Sequence, residues 1–202
     1  MSSDVSIVNR ALARVGQGPI VNLSEGSRLA RVAQQWYEPS RDELLRDYRW
    51  KFAIKRASLP ALAQAPVYGY TYAYQIPGDC LRVLSVNDLD PEYDPDLDPT
   101  LWDREGDTIV TNERPEIKVR YIRRVTDPAS FDESFSAALV ALLAWRFSPS
   151  LRELETDLPQ VLESEYQRAL MTARSRNAIE ARPRVRKRTR SYWAETPRWG
   201  GW

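Results

Sequence analysis

The sharpest metal candidate in the sequence is an alternating run of carboxylates formed by Asp94, Asp96 and Asp98. The spacing matches the first half of an EF-hand calcium loop, and Glu105 stands at its twelfth position. Pro99, however, occupies the sixth position, where that loop needs a glycine for its turn. We therefore predict no metal here. The run is expected to be an acidic loop, either solvated or in contact with the basic surface of a neighbouring subunit.

Residues that commonly perform hydrolysis are scarce in this chain. Histidine is absent, which removes the commonest general base and the commonest metal ligand. The serines therefore lack an activating imidazole. Cys80, the only cysteine, lies in a predicted strand, where a small buried apolar group is the expected role. No local pattern selects a carboxylate pair for glycoside hydrolysis. The sequence thus predicts no catalytic residues, no metal and no cofactor.

The C-terminal residues 182–202 combine positive charge with tryptophan. Arginine and lysine are rarely fully buried, and proline and glycine interrupt helices and strands, so this segment is not expected to join the core of its own chain. Tryptophan and arginine are the residues that anchor interfaces. We predict an extended docking arm whose contact residues are Arg182, Arg184, Arg186, Lys187, Arg188, Arg190, Tyr192, Trp193, Trp199 and Trp202.

The net charge of +1 conceals an asymmetry between this arm and the rest of the chain. Of the 29 basic and 28 acidic residues, seven basic and one acidic fall in 181–202, which leaves +6 there and −5 elsewhere. A basic tail on an acidic body is typical of an interaction arm, for nucleic acid or for an acidic protein surface. The spacing of Trp193, Trp199 and Trp202 favours a shaped protein pocket, because nonspecific phosphate binding does not need it.

Helical periodicity marks both ends of the chain. Apolar residues recur at helix spacing from Val5 to Val15, with Ser3 as a cap and Gly16 as a stop. A second helical run begins near Ser27, and we expect Pro39 to kink it or to divide it into two helices. Two more helices are predicted, one apolar nearly all round at 135–147 and one at 157–180. The strongly apolar stretch 137–145 is too short to span a bilayer, and no signal peptide is indicated, so a soluble protein is expected.

The middle of the chain has the period-two alternation of strands. We predict strands at 68–74, 80–86 and 117–122, and a hairpin within 102–111 centred on Gly106. The predicted fold class is α+β, a bundle of N- and C-terminal helices with an inserted small antiparallel sheet or barrel. The predicted regions are N-terminal helices at 1–60, the sheet at 61–128, C-terminal helices at 129–181, and the arm at 182–202.

Four segments in order give the chain a resemblance to the tail tubular protein A family of short-tailed phages, the head-to-tail adaptors below the portal. They are VNRALARVGQGPI at 8–20, RDELLRDYRWKFA at 41–53, YAYQIPGDCLRVL at 72–84 and YIRRVTDP at 121–128, the last followed by Phe131 and the apolar helix. The similarity covers about residues 5 to 175 and leaves the arm unmatched.

The resemblance implies a structural virion protein with no catalytic signature. It implies a ring of twelve copies between the portal and the next tail protein, with DNA passing through the lumen without specific binding, and manufacture in the host cytoplasm. A closed ring requires head-to-tail contacts between two different faces of each copy. Two other functions remain open at this point: nucleic-acid binding through the basic arm, and a virion-associated enzyme that degrades the cell wall.

Overall fold

The computed structural model describes residues 3–90, 101–113, 116–151 and 157–180. Within these ranges the chain has four α-helices and two three-stranded antiparallel sheets, which confirms the mixed α+β class. The helices come from both ends of the described chain, and the strands lie between the second and third helices.

The first two helices begin at serine caps. Helix α1 spans Asp4–Arg14, and Ser3 Oγ accepts the backbone N–H of Ser6 at 3.1 Å. It ends just before Gly16, whose φ of 69° is the left-handed conformation that stops a helix. Helix α2 spans Arg28–Asp47 and is capped by Ser27. The cap and stop predicted for α1 are confirmed.

Pro39 does not divide α2, so the predicted alternative of two helices is wrong. The helix is continuous through the proline. Ser40 is fully buried, and its hydroxyl accepts a hydrogen bond at 3.0 Å from Arg146 in the third helix. The same guanidinium bonds Glu43 at 2.5 Å and lies over the Trp36 ring. These tertiary contacts attach the residues on both sides of Pro39 to α3 and offset the lost backbone donor.

The third helix, α3, spans Glu133–Leu151 and is the centre of the helical part. It packs against α1, α2 and the fourth helix, α4, which spans Leu158–Ile179. Most of α3 is buried, including Phe135 and Phe147, as the all-round apolar pattern predicts. It is also long and apolar enough to cross a membrane, although 72% of its apolar window lies inside the protein.

The start and the end of α3 both differ from expectation. The helix begins two residues before the predicted start at 135, and Ser130 lies ahead of it in a 3-10 turn, where it donates its hydroxyl to Asp127. Asp132 is the actual cap and accepts the backbone N–H of Ser134 at 2.8 Å and of Phe135 at 3.3 Å. At the other end α3 continues through Pro149, where the sequence predicts a stop.

The acidic cap of α3 makes the stability of this helix pH-dependent. Burial alone would raise the pKa of Asp132, but hydrogen bonds from Ser134 and Phe135 outweigh it and hold the pKa below its ordinary value. The cap therefore stabilises the fold fully above the unfolded pKa of about 4, and the stabilisation is lost as pH falls through the lower folded pKa. We expect Asp132→Ala to lower the free energy of unfolding by about 1 kcal/mol at pH 7.

Urea unfolding of the variants at pH 7 and at pH 3 tests this cap. The difference between wild type and Asp132→Ala should shrink at pH 3, because this pH lies below the unfolded pKa of about 4, so that unfolding takes up a proton and the advantage of the charged cap declines. Asp132→Asn is the matched control, because asparagine also caps helices but carries no charge. If Asp132→Ala has the same free energy of unfolding as wild type at pH 7, the Asp132 side chain does not cap α3.

The six strands form two small sheets, and the strands of the two sheets are interleaved along the chain. Strands β1 (Ile54–Pro60), β6 (Glu116–Arg123) and β3 (Cys80–Val86) form the first sheet, in that order. Strands β2 (Tyr72–Gln75), β5 (Thr108–Thr111) and β4 (Trp102–Glu105) form the second sheet. The β4–β5 hairpin turns at Gly106, whose φ is 59°, as predicted. Strand β1 is not predicted, because the sequence pattern assigns residues 1–60 to helices.

Only half of the strand predicted at 68–74 forms. Its alternating tyrosines could stack bases if they shared one face: Tyr68, Tyr70, Tyr72 and Tyr74. Strand β2 starts at Tyr72, and Gly69 before it has a φ of 85°, which a strand cannot contain. Tyr68 is 88% exposed in the connecting loop, whereas Tyr74 is fully buried between the sheets. The four tyrosines therefore do not share one face that could stack bases.

The first sheet separates two apolar cores. Leu84 and Ile122 join the helical core, which also contains Trp50, Phe135 and Phe147. The opposite face of this sheet packs on the second sheet through a smaller core: Leu59, Tyr74, Ile76, Val86, Ile109, Ile117, Val119 and Tyr121. The first sheet is therefore a middle layer, with the helices packed on one face and the second sheet on the other.

Candidate protein-interface site

The two sets of residues that the sequence nominates both lie outside the described residues. The first set is the acidic run Asp94, Asp96 and Asp98. The second is the arm: Arg182, Arg184, Arg186, Lys187, Arg188, Arg190, Tyr192, Trp193, Trp199 and Trp202. What the structure does describe is the body to which each is attached, up to Asp90 for the acidic run and up to Glu180 for the arm.

A buried ion-pair centre lies where the helical part meets the first sheet. Asp90 is 3% exposed and receives Arg49 through two parallel hydrogen bonds, Nη1 to Oδ2 at 2.6 Å and Nη2 to Oδ1 at 2.8 Å. Arg120 of β6 adds a third contact, Nη2 to Oδ2 at 2.7 Å. Two-pronged arginine–carboxylate pairs are among the strongest hydrogen bonds in proteins. Asp90 thus joins the end of α2 to the first sheet at the residue that precedes the acidic run.

The root of the arm is tied to the same centre. Asn177, in the last turn of α4, accepts the backbone N–H of Lys51 at 2.8 Å and donates to the Arg49 carbonyl at 3.2 Å. This asparagine is 8% exposed. A single chain of contacts therefore runs from the end of α4 through Arg49 and Asp90 to β6.

A cationic groove of about 340 Å³ opens on the face of the first sheet that points away from the second sheet. Arg56 of β1 lies directly opposite Arg120 of β6, and Ser58 lies opposite Lys118. Like charges directly opposite each other on neighbouring strands destabilise a sheet. Arg120 has Asp90 as its partner, but Arg56 and Lys118 make no ion pair with any residue that the structure describes. Asp88 also lines the groove, and the Glu116 carboxylate accepts a hydrogen bond from Ser58, another lining residue.

An acidic hairpin tip projects from the second sheet. Residues 103–107 at the β4–β5 turn are all exposed, and three of the five are carboxylates: Asp103, Glu105 and Asp107. The Asp103 carboxylate accepts the N–H of Arg104, whose guanidinium bonds the Gly106 carbonyl. Glu105 and Asp107 make no side-chain ion pair within the described part of the chain. The tip is thus an exposed anionic projection on a rigid turn.

A third charged cluster stabilises the first sheet. Asp79 accepts Lys55 Nζ at 2.8 Å and the Tyr121 hydroxyl at 2.9 Å. Burial alone would raise the pKa of Asp79, but these two hydrogen bonds outweigh it and the pKa lies below its ordinary value. Burial, and next the hydrogen bond to Asp79, raise the pKa of Tyr121. Both groups therefore keep one protonation state near neutral pH, which suits a structural contact.

The structure describes the Cys80 thiol and the grouping of possible metal ligands. Burial raises the pKa of the Cys80 thiol to about 11, so the sulfur is protonated and weakly nucleophilic at neutral pH. Over residues 3–90, 101–113, 116–151 and 157–180, no three His, Cys, Asp or Glu side chains group closely enough to hold a metal ion.

Sequence reasoning missed the ion-pair centre and the groove. Lys118 and Arg120 do alternate with Ile117 and Val119, which indicates that they share one face of a strand. What the alternation does not give is the partner strand, β1, which brings Arg56 opposite Arg120.

Two comparisons with known proteins give the same result for this chain. No protein-family model matches it, and no curated protein matches it.

Proposed function

We propose that this chain is a structural subunit of the head-to-tail adaptor of a short-tailed phage. In this proposal its helices form a bundle with an inserted sheet, and residues 182–202 form an extended arm. About twelve copies form a ring between the portal and the next tail protein. The support is the resemblance described above. Its first segment, 8–20, coincides with α1 and the break after it, and its second, 41–53, with the end of α2 and the turn into β1.

The observation that carries the proposal is the position of the basic, tryptophan-rich segment directly after a firmly attached helix. Helix α4 ends at Ile179, and its last turn is fastened by Asn177 to the backbone on both sides of Trp50. A force on residues 182–202 would therefore reach the core through hydrogen bonds and not only through the chain. That is what a docking arm under the mechanical load of a virion requires.

The charges suggest how such an arm works. Tryptophan side chains enter pockets of the portal, and the surrounding arginines meet carboxylates at the pocket rims. Ordering the arm against the portal costs conformational entropy, which these contacts must offset. The remainder of the chain, with a net charge of −5, repels the phosphates of DNA in the lumen, so that DNA slides and does not adhere.

The mutational pattern in the arm distinguishes this function from nucleic-acid binding. We expect Trp193→Ala and Trp202→Ala each to weaken binding to the phage's portal ring by about 30-fold, as for a buried anchor residue. The charge variant Arg186→Ala with Lys187→Ala should weaken it to a similar or smaller extent. Arg168→Ala, an exposed position on α4, is the matched control and should have no effect. Binding is measured by surface plasmon resonance on immobilised portal.

The opposite pattern would support the second function. In that case the charge variant alone removes binding, the tryptophan variants bind normally, and the ligand that is bound is duplex DNA. Such binding would also disappear steeply as salt is raised, because counterion release dominates phosphate contacts.

A further inference from the structure

We infer that the acidic hairpin tip of one copy docks in the cationic groove of a second copy, as a head-to-tail contact. The groove is the space lined by Arg56, Ser58, Ser85, Asp88, Lys118 and Arg120, and the tip is residues 103–107. This inference deepens the proposed function, because it specifies the contact by which a ring would close. It can be tested without the portal.

The groove has unsatisfied positive charge at fixed positions. Neighbouring strands hold directly opposite Cβ atoms about 5 Å apart, and the next pair on the same face lies about 7 Å away. Arg56 and Lys118 stand on such neighbouring positions of β1 and β6, and neither pairs with a carboxylate within the described residues. Placing Arg56 directly opposite Arg120 costs stability in the isolated chain. A carboxylate ligand from outside would relieve that cost.

The tip supplies groups of complementary charge. Glu105 and Asp107 flank Gly106 on one tight turn and are exposed without a cationic partner. Both surfaces also carry one charge of the other sign, Asp88 on the groove rim and Arg104 on the tip. Because each surface carries charges of both signs, only one orientation of the tip in the groove pairs every charge with its opposite. A DNA backbone, by contrast, offers only negative charge and has no cation to pair with Asp88.

The tip of one copy cannot reach the groove of the same copy. The tip belongs to the second sheet, which packs on one face of the first sheet through Leu59, Tyr74 and Ile109. The groove side chains lie on the opposite face, because they alternate along β1 and β6 with Ile117 and Val119 of that core. The first sheet therefore stands between tip and groove. A contact between them joins two different faces of two copies, the heterologous geometry that gives rings.

Reciprocal charge reversal tests the contact on the full chain. The groove variant carries Arg56→Glu and Lys118→Glu, and the tip variant carries Glu105→Lys and Asp107→Lys. Self-association is followed by sedimentation velocity over rising protein concentration at low salt. We expect each variant alone to associate at least about tenfold more weakly than wild type. An equimolar mixture of the two should regain association, because each variant's altered surface then meets its opposite charge on the other.

The control variant reverses two charges away from both surfaces. Arg10→Glu with Arg168→Glu changes exposed residues of α1 and α4 by the same total charge as the groove variant, and it should associate like wild type. Circular dichroism of every variant checks folding. Unfolded chains could not regain association on mixing, so recovery would also exclude misfolding as the reason that each variant alone associates weakly.

Three outcomes would overturn the inference: a wild-type chain that stays monomeric, reversal variants that associate normally, or a mixture that fails to recover. A groove variant that loses only binding to duplex DNA would assign the groove to nucleic acid instead. Portal binding by the full chain together with any of these results would leave the adaptor function standing and remove only this contact. Recovery in the mixture without portal binding would support this contact and remove the adaptor function.

Discussion

Replacing Asp90 by asparagine is expected to lower the free energy of unfolding by about 3 to 5 kcal/mol. The substitution keeps the shape of the side chain but removes its charge. Arg49 and Arg120 would then face each other with side chains only 11% and 14% exposed and no shared carboxylate between them. A buried charge that loses its partner keeps the cost of desolvation without the compensating attraction. Urea unfolding followed by tryptophan fluorescence measures the loss.

Asp88→Asn is the matched control for this prediction. It is the same chemical change two residues earlier, at an exposed position with a φ of 66° that asparagine also adopts readily. We expect it to change the free energy of unfolding by no more than about 0.5 kcal/mol. Equal small effects of the two substitutions would show that Asp90 does not hold the helices to the first sheet.

Replacing Trp50 by alanine is expected to destabilise the fold by about 3 to 5 kcal/mol. Trp50 is fully buried, and its ring meets Phe135 of α3 edge-on, with centroids 5.1 Å apart. Its Nε1 donates a hydrogen bond of 2.7 Å to the Leu44 carbonyl in the last turns of α2. The substitution therefore leaves a large cavity and also a buried carbonyl without its donor.

Two further substitutions separate these causes. Trp50→Phe keeps an aromatic ring but loses the donor, so its cost should be smaller and should reflect the hydrogen bond and the reduced volume. Trp36→Ala removes a half-buried tryptophan that packs under Arg146, and we expect clearly less destabilisation than from Trp50→Ala. The prediction fails if denaturant midpoints are the same for Trp50→Ala and Trp36→Ala.

The helices could be predicted from the sequence wherever local signals decide. The Ser3 cap, the apolar spacing and Gly16 suffice for α1. Local signals mislead where a tertiary contact outweighs them. Ser40 satisfies the pattern of a helix cap, yet it is buried against Arg146, which is 106 residues away in sequence. Pro39 predicts a kink or a division, and the third helix is predicted to end at 147, yet α2 and α3 each continue through their proline.

The strands show the same division between local and distant causes. The β4–β5 hairpin is found because its turn is coded by Gly106 between short alternating segments. Strand β1 is missed because Lys55, Arg56 and Ser58 leave few apolar residues to alternate, and its strand conformation depends on pairing with β6, about 60 residues later. Edge strands that depend on such pairing have weak sequence signals.

The candidate site is harder to predict for a related reason. Charge and composition identify an interacting segment at 182–202, because these are properties of the residues themselves. The ion-pair centre joins Arg49, Asp90 and Arg120 over separations of 41 and 30 residues. No local pattern distinguishes these three from the other charged residues of the chain. Only the fold shows which of the charges are paired inside the protein and which are available to a partner.

The adaptor proposal is tested most directly by the mass of a mixture with the portal. The full chain and a chain ending at residue 181 are each mixed with the phage's portal ring, and light scattering gives the mass while negative-stain images show the shape. The proposal predicts a stoichiometric ring of the full chain on the portal and an unchanged portal with the shortened chain. Absence of any complex with the full chain, together with salt-sensitive binding of duplex DNA through residues 182–202, would contradict it.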